Sequence, residues 1–139
     1  MKERTLIFMK PDVFEKRIMG KVLHEIEKRD DFKIIAMCYT RLNKEQAETF
    51  YAVHRGKPFY GDLVAYVTRG PVFAMVIEGE KAIEKMRELM GATNPTEAKG
   101  DTIRGMYGES LDANVVHGSD SPESAEIEIP FFFSKRSLI

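Results

Sequence analysis

His117 is the side chain of this sequence best placed to act as a nucleophile. It follows a short apolar run, Ala113 to Val116, and precedes Gly118-Ser119-Asp120-Ser121-Pro122. A Pro behind a Ser marks a helix start, because the N–H that Pro lacks would have no partner there. The pattern predicts a strand over 113–116, His117 at its exit, and a short helix from Pro122. The imidazole would then lie beside the positive end of a helix, where free N–H groups attract anions. Glu128, at the far end of that helix, could fold back on the ring and fix its tautomer. A single His at a strand end is more often structural than catalytic. Its company decides.

That company is Lys10 before Pro11, together with Tyr51, Arg87, Thr93, Arg104 and Asn114. A Lys at a strand exit is a compact charge suited to phosphate. The set matches phosphoryl transfer, in which catalysis is mostly positioning and charge stabilisation. A neutral imidazole is a competent nucleophile near pH 7. Attack on a terminal phosphate would give a phosphohistidine, which returns the group to a second acceptor in a ping-pong cycle. Other chemistries lack their parts. There is no G-x-x-x-x-G-K-[ST] loop, no H-R-D with D-F-G, and no Cys/His set at zinc spacing. Ser119 stands two residues from His117 and is badly placed as its partner in a Ser–His hydrolase.

The elements that must position these groups follow from periodicity. Arg4 to Met9 is a continuous apolar run fit for a buried central strand, ending at Lys10-Pro11-Asp12. Ile18 to Glu27 has helical spacing, with His24 on the surface. Phe32 to Thr40 is a second strand, apolar enough for burial on both sides, with Cys38 as a small core residue. Asn43 and Gln46 form a capping box at the next helix, which runs on to Tyr51 and His54. Gly56-Lys57-Pro58 stops it, and a short helix over 59–66 completes an αα-hairpin that serves as a flap. Val72 to Ile77 is a third strand, and Lys81 to Met90 an amphipathic helix. From Gly91 to Leu111 no period is visible, so a long loop is expected before the last strand. Ile127 to Phe133 reads as a hydrophobic tail. The order predicts an α/β chain of the α+β sandwich kind. It is a ferredoxin-like βαββαβ sheet with a helical-hairpin insertion and helices on one face.

The chain of 139 residues fits a single domain, residues 1–139. Lys and Arg number 21 against 22 Asp and Glu, a net charge of −1, so nothing argues for nucleic-acid binding. One Cys makes no disulfide framework, which suits a reducing compartment. No apolar run approaches the roughly 20 residues of a membrane helix. No leader-like segment opens the sequence either, and a cytoplasmic location is the expectation.

Five blocks in one register carry a resemblance. They are K-P-D at Lys10 to Asp12, G-K-P-F at Gly56 to Phe59, T-N-P at Thr93 to Pro95, T-I-R-G at Thr102 to Gly105, and N-V-V-H-G-S-D-S at Asn114 to Ser121. With them the chain resembles the nucleoside diphosphate kinases from about Arg4 to Phe133. The resemblance implies transfer of the terminal phosphate of a nucleoside triphosphate to a nucleoside diphosphate, with ATP, GTP and deoxynucleoside diphosphates among the substrates. It implies that His117 is the phosphorylated nucleophile, that Glu128 orients it with Ser119, and that Lys10 and Tyr51 assist. Arg87, Thr93 and Arg104 would hold the distal phosphates, and Lys10 and Asn114 the sugar hydroxyls. The base would stack on Phe59 and meet Leu63 and Leu111. Stacking is indifferent to base edges, so many bases would be accepted. Mg²⁺ is implied on the nucleotide phosphates rather than in a protein cage, with Asp120 the carboxylate near it. A homo-oligomer, tetramer or hexamer, is also implied.

The sequence departs from the pattern in places. Val13-Phe14 replaces the usual Gly-Val after K-P-D, Gly100-Asp101 replaces Pro-Gly, and Met106 replaces an acidic residue. The first departure predicts a reshaped turn after Lys10. A nucleotide-sensing module on the same fold, without turnover, is the alternative from another class, since fold alone does not assign function.

Overall fold

Strand β1 (Lys2–Met9) is the centre of the molecule because its last residues face two cores at once. In the computed structural model, which describes residues 2–139, Leu6 and Phe8 enter one apolar cluster, and Ile7 and Met9 the other. All four are essentially without solvent contact. Successive strand side chains point to opposite faces, so a continuous apolar run needs cover on both.

The cover comes from helices on both faces, not one. Helices α2 (Met19–Glu27) and α5 (Ala82–Met90) bring Val22, Ile26, Met86 and Met90 to the cluster of Ile7 and Met9. Helices α3 (Lys44–Phe50), α4 (Tyr60–Thr68) and α7 (Pro122–Phe132) bring Ala47, Val64, Ala125 and Ile129 to the other. The hairpin of α3 and α4 is as expected, and Asn43 and Gln46 make the capping box in full.

Strands β2 (Lys33–Thr40), β3 (Val72–Glu80) and β4 (Val116–Gly118) complete an antiparallel sheet in the order β2-β3-β1-β4. This is the ferredoxin-like arrangement. β2 is an edge strand and is not buried on both sides: Met37 and Tyr39 are each 62% exposed, and Cys38 is half-buried.

Three local departures follow from backbone chemistry. Pro11 opens a short helix, α1 (Pro11–Glu15), where only a turn was expected, and Val13 is fully buried on it against the second cluster. That is how the exceptional Val is accommodated. The segment 91–111 is not featureless. Asn94 caps a 3-10 turn at Pro95–Glu97, and Thr102 caps α6 (Ile103–Tyr107), elements too short to show a period. Ile127 to Phe132 continues α7 rather than forming a tail, because Pro130 near the helix end removes one N–H only.

Candidate active site

The polar side chains singled out above converge on one cavity of about 810 Å³ beside the β1–β4 edge. Lys10, Tyr51, Arg87, Thr93 and Arg104 line it. So do Asn114, His117 and Asp120, with Phe59, Leu63 and Leu111 as its apolar lining. Ser119 and Glu128 stand behind His117 rather than in the wall.

His117 lies within β4, not beyond its strand. The extended backbone begins only at Val116, because Val115 has φ 78°. His117 pairs with Phe8 across the sheet. The Phe8 ring stacks on the imidazole at 4.9 Å and 22°, and Phe50 meets it edge-on at 5.2 Å. Glu128 is in the second turn of α7, the seventh of its 11 residues, not at the far end. Its Oε1 accepts from His117 Nε2 at 3.1 Å and from the Ser119 hydroxyl at 2.8 Å. The hydroxyl in turn accepts from Leu6 N–H at 3.2 Å, so its proton must point to the carboxylate. A carboxylate only accepts, which puts the imidazole proton on Nε2 and leaves the lone pair on Nδ1.

The cations are held by the backbone around that ring. Lys10 is buried and donates to Asn114 Oδ1 at 2.7 Å, while the Asn114 amide donates to Thr93 O at 3.0 Å. Burial, then the charge of Arg104, brings the Lys10 ammonium down to about 8, against a smaller opposing pull from Asp12 and Asp112. Arg104 donates to Gly91 O (2.9 Å), Val116 O (2.7 Å) and Asn114 O (3.3 Å), leaving one N–H on each terminal nitrogen for a ligand. Burial and then Arg87 lower it to about 10, so it stays charged at neutral pH. Gly91 ends α5 at φ 88°, and a Cβ there would collide with Thr102. Arg87 is exposed at the rim, in the last turn of α5.

Burial, and then the charge of Glu128, push the Tyr51 phenol upward, so it remains a donor. The Ser124 hydroxyl donates to Asp120 at 2.6 Å and holds its carboxylate below the usual range. At the other end Phe59 is exposed, with the Lys57 ammonium 5.8 Å from its ring centroid and the His54 ring edge-on at 5.2 Å.

Residues not anticipated as site residues also line the cavity, among them His54, Asp62, Met90 and Asp112. Burial, then Lys57 and His117, lowers His54, which keeps it neutral at pH 7. Its spacing of three from Tyr51 was the available signal.

A cavity with stacking rings at one end and cations around an oriented imidazole at the other suits a nucleotide whose terminal phosphate meets the ring. The family model described as nucleoside diphosphate kinase matches residues 3–138. A nucleoside diphosphate kinase of Geobacter sp. is 54% identical over 137 residues, 99% of each chain. That of Persephonella marina is 49% identical, over 99% of this chain and 97% of its own. The Aquifex aeolicus enzyme structure superposes with a TM-score of 0.95 at 43% identity over 100% of both chains. The Halobacterium salinarum enzyme in complex with CDP does so at 0.95 and 40%, over 100% of this chain and 92% of the other.

Proposed function

The chain belongs to the nucleoside diphosphate kinase family, and from that premise we propose that His117 carries the phosphoryl group between its two nucleotides. The enzyme moves the terminal phosphate of a nucleoside triphosphate to a nucleoside diphosphate. In the forward half-reaction the Nδ1 lone pair forms a bond to the terminal phosphorus, and the bond to the bridging oxygen breaks. The diphosphate leaves with that electron pair. The second half-reaction reverses these steps on another diphosphate. The observation that carries this reading is the Glu128 contact at Nε2, which leaves Nδ1 free in a cavity lined by Lys10, Arg87 and Arg104.

The other side chains have defined parts. Glu128, aligned by Ser119, balances the positive charge that grows on the ring as Nδ1 is phosphorylated. Lys10 and the Tyr51 hydroxyl donate to the transferred phosphate. Arg87, Thr93 and Arg104 bind the distal phosphates, and Lys10 with Asn114 meets the sugar hydroxyls. Phe59, Leu63 and Leu111 take the base by stacking and apolar contact, which explains tolerance of base identity. That tolerance extends to ATP, GTP and deoxynucleoside diphosphates.

Among the described residues no group of three His, Cys, Asp or Glu side chains gathers to cage a metal. The Asp120 carboxylate in the cavity wall, held ionised by the Ser124 hydroxyl, fits an Mg²⁺ that arrives on the nucleotide and keeps much of its water. Bound there, the ion would neutralise phosphate charge during transfer.

Residues 1–139 act as one domain, working in the cytoplasm. The exposed β2 edge, where Tyr39 lies against Phe14 at 5.3 Å and Met37 faces outward, supports assembly into a homo-oligomer, tetramer or hexamer. Met37→Lys should lower the mass measured by sedimentation, and an unchanged mass would remove that surface from the assembly.

Incubation with γ-labelled ATP should add one acid-labile phosphate to the wild-type chain and none to His117→Asn. A gain that persists in the variant overturns the assignment of the nucleophile.

A further inference from the structure

Val115 is fully buried, β-branched, and in the left-handed region at φ 78°. Branched side chains avoid that region, and a residue stays there only where its surroundings hold it. Here the hold is visible. Val115 N–H donates to Asp12 Oδ2 at 3.2 Å, and Val115 O accepts from Lys10 N–H at 2.8 Å. Arg104 binds the carbonyls on either side, those of Asn114 and Val116. Asp12 is 2% exposed, sits in the first turn of α1 outside the cavity lining, and bears on the transfer described above only through its weaker pull on Lys10. It is the only side chain bound to the backbone N–H of Val115 among the described hydrogen bonds.

The neighbours of Val115 explain why that turn matters. Asn114, one residue before, meets Lys10 Nζ at 2.7 Å, and His117 follows two residues after. Relaxing Val115 to an extended backbone would swing Asn114 away from Lys10 and shift the register at which β4 delivers His117 against Phe8.

We propose that Asp12 is a positioning residue for phosphoryl transfer. By accepting the N–H of Val115, its carboxylate holds the left-handed turn that sets Asn114 and His117 in place. The inference rests on His117 being the nucleophile. Acceptance, rather than negative charge, is the function, so an amide oxygen at the same place should serve.

The test compares wild type with Asp12→Asn, Asp12→Ala, Val115→Gly and the Asp12→Ala/Val115→Gly double variant. It reads kcat, KM and the single-turnover rate of His117 phosphorylation, each per folded molecule as judged by thermal melting. Asp12→Asn should stay within about threefold of wild type in kcat, and Asp12→Ala should lose about tenfold or more. Glycine adopts φ above zero without help, so Val115→Gly should restore most of the rate in the Asp12→Ala background. Should Asp12→Ala alone not fold, a folded and active double variant supports the inference, and an inactive one overturns it. Full turnover by Asp12→Ala, or Asp12→Asn as slow as Asp12→Ala, also overturns it. Absence of acid-labile phosphate on the wild-type chain would instead strike the reading of His117, which separates the two failures.

Discussion

Phe8 lies flat against His117, ring centroids 4.9 Å apart, as its direct partner across the β1–β4 ladder. The imidazole is therefore fixed on one side by a buried ring and at one nitrogen by Glu128. Such a stack is worth about 0.5–1.5 kcal/mol beyond area burial. Phe8→Leu keeps most of the apolar volume and loses the flat face. We expect a fall in kcat of about two- to tenfold with little change in KM. Equal losses in kcat and KM would show that Phe8 only fills space.

With His117 as the proposed nucleophile, Glu128 and Ser119 are expected to act through the ring rather than on the nucleotide. Glu128→Gln removes the charge that would balance a phosphorylated imidazole, and the single-turnover phosphorylation rate should fall by about a hundredfold. Ser119→Ala removes the hydroxyl linking Leu6 N–H to Glu128 and should cost about 1 kcal/mol, roughly fivefold in rate. Rapid-quench measurement of the phosphorylated chain decides both. A Ser119→Ala enzyme slower than Glu128→Gln would reverse their order of importance.

Lys10 should set the alkaline side of the pH profile. With its ammonium brought down to about 8, kcat/KM should decline as pH rises through about 8. Bound phosphate favours the charged form, so the decline in kcat should lie at higher pH. Coincident limbs would show that Lys10 does not meet phosphate. The sign for stability is opposite. A folded-state value below the ordinary 10.5 means folding disfavours the charge, so this group makes stability rise as pH climbs from about 8 to 10.5.

Arg104 is a scaffold for three backbone carbonyls, and on the proposed reading it binds phosphate as well. Arg104→Ala strips donors from the carbonyls of Gly91, Asn114 and Val116, and should destabilise the fold by about 3 kcal/mol in urea unfolding. Arg104→Lys restores charge but not the planar fork, so it should recover little of that stability. A lysine variant as stable as wild type would show that charge alone matters there.

The chemistry of this protein is written in residue types, and much of its frame in periodicity. The apolar run ending at Met9, the capping box at Asn43 and the Ser121-Pro122 helix start follow from local physics, because each depends on neighbours a few residues apart. The same holds for Glu128, whose reach back to His117 needs only one strand, one turn and one helix. What tertiary structure decided is of another kind. That helices cover both faces depends on how distant segments pack. So does the edge position of β2, which leaves Met37 and Tyr39 exposed although the strand itself reads as buried. The Asp12 contact to Val115 joins residues 103 positions apart, at a left-handed turn that interrupts the expected strand over 113–116. A branched residue has no local reason to adopt that backbone. The Asp12 carboxylate and the Lys10 N–H, both brought from the far end of the chain, hold it there together with Arg104.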